Sequence, residues 1–532
     1  MLNNELKGKV VTGYQAWFKA SNKLDEGWIH WSRVEAPSRK RPTFDLYPDT
    51  REYPDEIMFP TGYPDLGDGR EAKLYSARTP QAIDLHFSWA KNYGIDCLAL
   101  QRFYSETVPE RVDIHYNCGH LKLVRESAEK HGRLFYIMYD FSGAAKHGDG
   151  IIEGCTQDWI IQVEESGLLE SPNYACYNGK KIVCLWGFTG LDSWRYPAAN
   201  NALALIKWFK KRGFYVIGGF PDNELARVTD DYAAVYRSVD MVSPWVVGRF
   251  GPGGVEKWWK PVFEREREFC MRHGLDYMPV AFPGFAWCNF KDGPANMIPR
   301  KSGEFFWEQI RFLHSQGIGQ IYLAMMDEYD ESTAFMKAAE DSTQIPMGDS
   351  YFQTLCVDGY WLSSDYYLRL ANEAGRLMRG EAKLSAAVPI SHSNGPVYWR
   401  NGFERRKYLN LTKNVQEEAA VDIGLFQDCV VKGDVAVKIV KSNIGIGEYA
   451  LHVQGNGVYK IAPAVIHCKK PLMFKYVTDS DKIKIGAMLK SGESKFMTSG
   501  EVFTAEEEIA GIAVSIAGGE GYVDDIELRE AI

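Results

Sequence analysis

The sequence predicts an α/β fold, a (β/α)8 barrel of the TIM type, followed by a C-terminal all-β sandwich of the jelly-roll type. Two observations favour the barrel: eight apolar runs of strand length, and an amphipathic helical segment between each run and the next. Strands that alternate with helices are parallel, and eight such units close into a ring. The third observation is the loss of helical periodicity near residue 383, where short alternating segments begin.

The apolar runs place each barrel strand, and the domain bounds follow from them. A doubly wound sheet is disfavoured because no Gly-rich phosphate turn follows the first run. The barrel domain is predicted over residues 1–382 and the sandwich over 383–532. The predicted strands are 9–17, 97–103, 134–141, 181–188, 214–220, 241–247, 277–285 and 321–326, and the predicted helices are 79–92, 118–131, 155–165, 201–212, 230–237, 255–273, 302–315 and 365–379.

Composition narrows the class of partner. The formal net charge of −9 argues against nucleic acid or an anionic membrane, and no apolar run is long enough to span a membrane. The first residues lack the apolar stretch of a signal peptide, so the chain as written is expected to be cytoplasmic, or periplasmic or extracellular if a leader was removed. The ten cysteines are scattered without a C-x-x-C pair, so no structural zinc is expected. A monomer or weak oligomer is expected.

The carboxyl ends of barrel strands face one pocket, so the residues there are the candidate site. The set combines aromatic rings, hydrogen-bonding groups and carboxylates, which suits a neutral ligand with many hydroxyls, and 13% of all residues are aromatic. We predict an oligosaccharide or polysaccharide substrate and no required cofactor or barrel metal. The predicted substrate-binding residues are Tyr14, Trp17, Arg102, Tyr139, Asp140, Trp186, Trp245 and Phe285, and the strand ends also supply Gln15, Gln101, Asp222 and Trp287.

Glu328 and Glu331 follow the last strand and are the predicted catalytic pair. Three residues apart, their carboxyls can point into the same pocket, and two close acids divide into one acid and one base. Glycosidic cleavage needs that division of roles. An acidic first turn of a following helix would leave the same pattern.

Four segments resemble glycoside hydrolase family 99, and more distantly family 71. They are E-Y-D-E-S-T at 328–333, P-G-F at 283–285, I-P-R-K-S-G-E-F-F-W at 298–307 and G-Y-Q-A-W-F at 13–18, and the resemblance covers about 9–379. It implies a retaining, endo-acting α-mannosidase that forms a 1,2-anhydro sugar. Glu328 would deprotonate the sugar 2-hydroxyl, and Glu331 would be the general acid and base. Arg300 would lie in the pocket as a further substrate-binding residue, where it would hydrogen-bond a substrate hydroxyl or orient a glutamate.

This sequence departs from the family pattern at several positions. Ser332 stands for Gly, Asp330 stands for the usual His, and Asp140 opens D-F-S where the family tends to have E-P-Y. These changes touch substrate contacts and leave the glutamate pair intact. The sugar therefore stays open: an arabinoside, a xyloside or a glucan are alternatives to a mannoside. A glycan-binding protein without catalysis is the alternative from another class.

Two segments of the sandwich resemble galactose-binding-like carbohydrate-binding modules. They are N-G-F-E at 401–404 and G-Y-V-D-D-I-E-L at 521–528. The resemblance implies an accessory module for polysaccharide degradation, with a Ca²⁺ ion near Asp524 or Asp525. A purely structural domain is the alternative, because an Asp-Asp pair alone falls far short of the six to eight oxygens that Ca²⁺ binds.

Overall fold

The computed structural model describes residues 4–22, 27–32, 42–107, 119–190, 194–220, 230–410, 415–425 and 429–531. A ring of eight parallel strands forms the centre of the N-terminal part, which confirms the predicted TIM-type barrel. Within the described residues these strands are β1 (Val10–Tyr14), β2 (Cys97–Phe103), β3 (Leu134–Asp140), β4 (Lys180–Trp186), β5 (Tyr215–Phe220), β6 (Met241–Pro244), β7 in two pieces (Asp276–Tyr277 and Val280–Ala281) and β8 (Ile321–Leu323).

The ring closes through its seventh and eighth strands. The first piece of β7 pairs with β6 and the second piece pairs with β8, so Met278 and Pro279 mark the change of partner. Strand β8 then pairs with β1, in the register Val10 to Ile321. All eight carboxyl ends therefore lie on one face of the barrel.

Helices surround the ring and are amphipathic, as predicted. Thr79 caps the first by accepting the Ala82 N–H, and Pro80 begins it, because proline suits a position whose N–H needs no partner. The helices are α1 (Pro80–Asn92), α2 (Gly119–His131), α3 (Gly150–Asp158), α4 (Ala199–Lys211), α5 (Asp230–Ser238), α6 (Lys260–His273), α7 (Glu304–Ser315) and α8 (Tyr366–Met378). Helices α3 and α6 each adjoin a π-helical turn, Trp159–Glu164 and Val255–Trp259 respectively.

Gly13 shows which residues of β1 face the barrel interior. A Cβ at this position would lie 2.2 Å from both Met325 Sδ and Tyr322 Oη. Because strand side chains alternate, Gly13 and Gln15 face inward, and Tyr14 faces the helices. The glycine is therefore required by the packing of the barrel centre.

Gly13→Ala is expected to lower the free energy of unfolding by about 1–3 kcal/mol, the usual cost of overpacking a core. Thermal unfolding of the purified variant measures this. The matched control is Gly319→Ala, since no atom lies within 4 Å of a Cβ there. A Gly13→Ala variant as stable as this control would contradict the packing argument.

The segment between β1 and α1 is ordered over most of its described part. Residues 43–49 are buried, and a short hairpin joins Met58–Pro60 to Lys73–Tyr75. The carboxylate of Asp45 accepts the N–H groups of Cys288 and Asn289 at 2.7 and 2.6 Å. This loop therefore folds over the carboxyl face of the barrel and contacts the segment that follows β7.

An all-β domain follows the barrel, as predicted. Its two longest strands, Tyr449–Ile466 and Ile509–Glu530, pair antiparallel along their length. The alternating segments 449–453 and 457–461 predict two shorter strands in place of the first, and the segment 509–515 predicts only the beginning of the second. Gly455, which has a φ of +116°, marks a shift of register between Gln454 and Asn456 instead of a turn. The other strands are Val397–Asn401, Arg405–Asn410, Val415–Ala420, Val430–Lys441, Leu472–Thr478, Ile483–Leu489, Ser494–Met497 and Val502–Phe503.

The sandwich contacts the barrel segment that follows β8. Asp422 accepts both the N–H and the hydroxyl of Ser342, at 2.8 and 2.7 Å, and Arg400 donates to the Thr343 hydroxyl at 3.0 Å. The predicted boundary at 382 and 383 falls between the end of α8 and the strand Val397–Asn401, and it stays a prediction. In the described part of the chain, no helix has the length and apolar character needed to cross a bilayer.

Candidate active site

A tight loop after β8 carries the predicted catalytic pair. The Glu328 carbonyl accepts the N–H groups of Thr333 and Ala334 at 3.1 and 2.9 Å, so the chain turns back on itself within five residues. Ser332, at the position where the family pattern has Gly, adopts a φ of +54°. Such a φ is uncommon outside glycine, which agrees with the family's choice of residue. The loop brings the two glutamates into one turn.

The first carboxylate of the loop anchors it to β1. Asp327 accepts the N–H of Gln15 at 3.0 Å and that of Ala16 at 2.7 Å. Gln15 in turn places its side-chain amide between two acceptors, donating to Glu328 Oε2 at 2.7 Å and to Gln101 Oε1 at 3.1 Å. The ends of β1, β2 and β8 are thereby joined at Glu328.

Glu328 is 4% exposed, and its second oxygen, Oε1, has no hydrogen-bond partner within the described residues. Burial raises the pKa of Glu328 well above its usual range, and the charges of Asp330 and Glu331 raise it further. The Gln15 amide opposes that rise, because it stabilises the ionised form. A buried carboxylate oxygen without a partner is costly, and a functional role is one explanation for it.

Glu331 has different surroundings, since it is partly exposed. Burial raises its pKa to about 7, and the Asp330 charge adds to the rise. The Trp287 indole and the positive charge of Arg195 oppose it, while Asp140 supports it. The main chain holds this end of the loop, because the Glu331 carbonyl accepts the Ala286 N–H at 3.0 Å. A pKa near 7 suits a group that both donates and accepts a proton.

Arg300 supports the loop from behind. Its Nη2 donates to the carbonyls of Ser332 and Ala334, each at 2.8 Å, and its guanidinium lies 4.3 Å from the Tyr367 ring centre. It is 2% exposed. Gly284 of the P-G-F segment lies against it, since a Cβ there would meet Arg300 Cγ at 2.5 Å. Arg300 therefore orients the glutamate loop through its backbone, and of its two predicted roles this geometry favours orientation of a glutamate over contact with substrate.

Three of the predicted substrate-binding residues point elsewhere, because side chains alternate along a strand. The Tyr14 hydroxyl bonds to His86 of α1 at 2.8 Å. Arg102 and Tyr139 both donate to Asp158 Oδ2 at the end of α3, each at 2.6 Å. These three side chains lie between the strands and the helices, where they stabilise the barrel wall.

Trp17 is also unsuited to stacking on a sugar. One of its neighbours is His30, with ring centres 3.6 Å apart and an angle of 12° between the planes. Another is Phe103, at 5.1 Å and 23°. Both contacts are stacked, so the rings of the protein itself occupy the indole faces.

The remaining predicted residues face the barrel opening or its interior. Trp186 and Trp245 meet edge to face with centres 5.8 Å apart, and both are partly exposed. They line an interior cavity together with Met138, Cys184, Ser243 and Tyr322. Burial raises the pKa of Asp140 to about 6, and the negative charge of Asp140 raises the pKa of Glu331. Phe285 packs against Trp287, with ring centres 5.0 Å apart. Asp222 lies outside the described residues.

Two further residues belong to this site although the sequence did not single them out. The positive charge of Arg195, in the loop after β4, lowers the pKa of both Asp140 and Glu331. His30, in the loop after β1, places Nδ1 at 3.0 Å from Asp330 Oδ2. The W-I-H-W run at 28–31 was a visible signal of an unusual loop, but nothing in it indicated a contact 300 residues away.

The expected Ca²⁺ site does not fit the residues around Asp524. Within the described residues, no group of three or more His, Cys, Asp or Glu side chains is arranged to hold a metal ion. Asp524 Oδ1 lacks a partner there, but Asp525 Oδ2 accepts the Ile446 N–H, and Glu404 Oε1 accepts those of Glu448 and Tyr449. Donors already occupy the neighbouring oxygens, which leaves too few for the six to eight that Ca²⁺ needs.

Comparison with known proteins identifies a shared fold. No protein-family model and no curated protein sequence matches the chain. Among solved structures, the family 99 endo-α-mannosidase of Bacteroides thetaiotaomicron is similar with a TM-score of 0.50 and 14% identity, covering 71% of this chain and 99% of that one. The same type of enzyme in complex with bis-tris propane gives a TM-score of 0.49 at 15% identity, covering 70% and 98%. The predicted resemblance is confirmed at the level of the fold: this chain has a barrel like that of a glycoside hydrolase family 99 enzyme.

Proposed function

We propose that this protein is a retaining glycoside hydrolase that cleaves α-linked glycans with help from the substrate 2-hydroxyl. The observation that carries the proposal is the glutamate loop. It places Glu328 beside a hydrogen-bond donor, Gln15, and leaves its other oxygen free in a buried site. The second glutamate lies in the same turn and has a pKa of about 7. The shared barrel fold supports the proposal, because the carboxyl face of such barrels carries their active sites.

The proposed reaction has two steps. In the first, Glu328 takes the proton of the 2-hydroxyl, the 2-oxygen bonds to C1, and the glycosidic oxygen leaves with a proton from Glu331. In the second, Glu331 takes a proton from water, the water oxygen bonds to C1 as the bond between C1 and the 2-oxygen breaks, and the 2-oxygen recovers its proton from Glu328. Both glutamates return to their starting states. Two inversions at C1 give net retention, as in other retaining enzymes.

The surroundings of the two glutamates support this division of roles. Glu331 must exchange protons with water, and it is the partly exposed member of the pair. Glu328 reacts only with bound sugar, and it is buried. The Gln15 amide favours the ionised form that a base requires.

The substrate contacts proposed for this site are Asp140, Trp186, Trp245 and Phe285. Partly exposed indoles can stack on sugar C–H faces, and Asp140 can accept hydrogen bonds from hydroxyls. An endo-acting α-mannoside specificity is the first choice, since the similar B. thetaiotaomicron protein is an endo-α-mannosidase. An arabinoside, a xyloside or a glucan remains the alternative, because the substrate-contact departures of the sequence lie in this region.

For the sandwich, glycan binding stays a prediction that rests on its two resembling segments. Its contacts with Ser342 and Thr343 support a structural role as well, since they hold the chain that leads away from the glutamate loop. Removing the sandwich would disturb both roles at once. Substitutions at its surface are therefore the better test of glycan binding.

The test is turnover of a library of α-linked manno-, gluco-, arabino- and xylo-oligosaccharides, with the anomer of the first product read by proton NMR. We expect cleavage of at least one linkage class, with retention of configuration. Inversion would overturn the two-step reaction. Binding without cleavage of any member would favour the glycan-binding protein instead.

A further inference from the structure

A third carboxylate, Asp330, lies between the two glutamates in the sequence and takes no part in the proposed reaction. Asp330 is 2% exposed, and its Oδ2 lies 3.0 Å from His30 Nδ1. Its other oxygen, Oδ1, has no hydrogen-bond partner in the described part of the chain. Burying a carboxyl with one unpaired oxygen costs stability, and a functional role of Asp330 would explain why this cost is tolerated.

His30 is held firmly against this carboxyl. Its ring stacks on Trp17 with centres 3.6 Å apart, and its carbonyl accepts the Thr43 hydroxyl. The neighbouring Ile29 pairs with Lys19 through two backbone hydrogen bonds of 3.0 Å. These contacts fix the imidazole from its face and from its backbone, so its distance to Asp330 is set by the fold of the loop after β1.

Among the described residues, His30 is the one side chain capable of a positive charge that is seen to bond to Glu328, Asp330 or Glu331. Burial and the charge of Arg78 lower the pKa of His30 to about 3, so it acts as a neutral partner near neutral pH. The other charged groups that face these residues are Asp45, Arg78, Glu106, Asp140, Arg195 and Asp327.

We propose that Asp330 and His30 form a positioning pair, in which His30 fixes the Asp330 carboxyl beside both glutamates and Asp330 controls how readily they ionise. This inference rests on the proposed glycosidase function and deepens it. Burial raises the pKa of Asp330 well above its usual range, and the hydrogen bond with His30 opposes that rise because it favours the ionised carboxyl. Once ionised, Asp330 repels a negative charge on either glutamate and so favours the proton on Glu331. Gln15 counters that repulsion at Glu328 alone, because it donates to Glu328.

The test is a double-mutant cycle read by the pH profile of kcat/KM. Asp330→Asn keeps the size and one oxygen but removes the charge, so the alkaline limb, at which Glu331 loses its proton, should move to lower pH by about one unit. His30→Phe keeps the stack on Trp17 but removes the hydrogen bond that favours ionised Asp330, so the same limb should move in the same direction. The double variant should move no further than Asp330→Asn alone.

Asp330→Glu is the conservative control, since it restores the charge. Its alkaline limb should stay near that of the wild type even if kcat falls. If the alkaline limb of the Asp330→Asn pH profile coincided with that of the wild type, at any level of activity, the proposal would be overturned. Independent, additive shifts in the cycle would overturn it as well.

A measurement without substrate separates this proposal from the proposed function. The difference in Tm between the wild type and Glu331→Gln, followed against pH, reports the ionisation of Glu331 in the folded protein. In the Asp330→Asn background that difference should develop at lower pH. This result would support the pair even if no glycoside were cleaved, and an unchanged midpoint would reject the pair even if glycosides were cleaved.

Discussion

Glu328→Gln and Glu331→Gln should each lower kcat by about 10²–10⁴, the usual contribution of a positioned proton transfer. The two variants should differ on substrates with good leaving groups. Glu331→Gln should recover much of its first-step rate on an aryl glycoside, because such a leaving group needs no proton. Glu328→Gln should not recover, because the 2-hydroxyl still lacks its base. Steady-state kinetics on a matched alkyl and aryl pair measure both effects.

The thermal stability of the same two variants is the control for their folding. Burial raises the folded-state pKa of both glutamates, so wild-type stability falls as pH rises from the unfolded value near 4.5 through the folded value. Glutamine cannot ionise, so each variant avoids the loss of stability that its glutamate causes as pH rises. Both variants should therefore match or exceed the wild-type Tm at pH 8, with a smaller difference at pH 4. Wild-type activity in both variants would reject the glycosidase proposal.

Arg300→Lys should reduce both stability and activity. The lysine side chain is shorter and lacks the planar group that packs on Tyr367, so its ammonium does not reach the position of Nη2 and at least one of the Ser332 and Ala334 carbonyls loses its partner, at a cost of about 1–3 kcal/mol. The glutamate loop then loses its support, and a displacement of about 1 Å can lower kcat about 10²-fold. Thermal unfolding and steady-state kinetics measure the two effects.

Arg311→Lys is the matched control, because Arg311 also donates to a backbone carbonyl, that of Ala386 at 3.0 Å, but at an exposed site. It should change stability by no more than about 0.5 kcal/mol. If Arg300→Lys behaved like this control, the loop would not depend on Arg300.

The barrel could be predicted because its information is local. Each strand is an apolar run and each helix has its own periodicity, so the order and number of elements follow from short windows. The long strand Tyr449–Ile466 was divided in two for the same reason, since Gly455 resembles a turn in a short window. Its pairing with Ile509–Glu530 shows that it continues.

The glutamate pair was predictable because both members lie in one short loop. The direction in which the side chains at the strand ends point was not predictable, since a shift of one position reverses the face of the sheet that a side chain occupies. Tyr14, Arg102 and Tyr139 were assigned to the pocket, but they face the helices. The pairing of His30 with Asp330 spans 300 residues, so only the folded chain reveals it.

The most direct test of the account is hydrolysis of a matched pair of aryl α-glycosides that differ only at the sugar 2-position. With a leaving group that needs no acid, the measured rate depends on the attack of the 2-oxygen and its base, Glu328. We expect the wild type to hydrolyse the 2-hydroxy substrate, and to bind the 2-deoxy analogue but barely turn it over. Rapid hydrolysis of the 2-deoxy analogue would contradict the participation of the 2-hydroxyl.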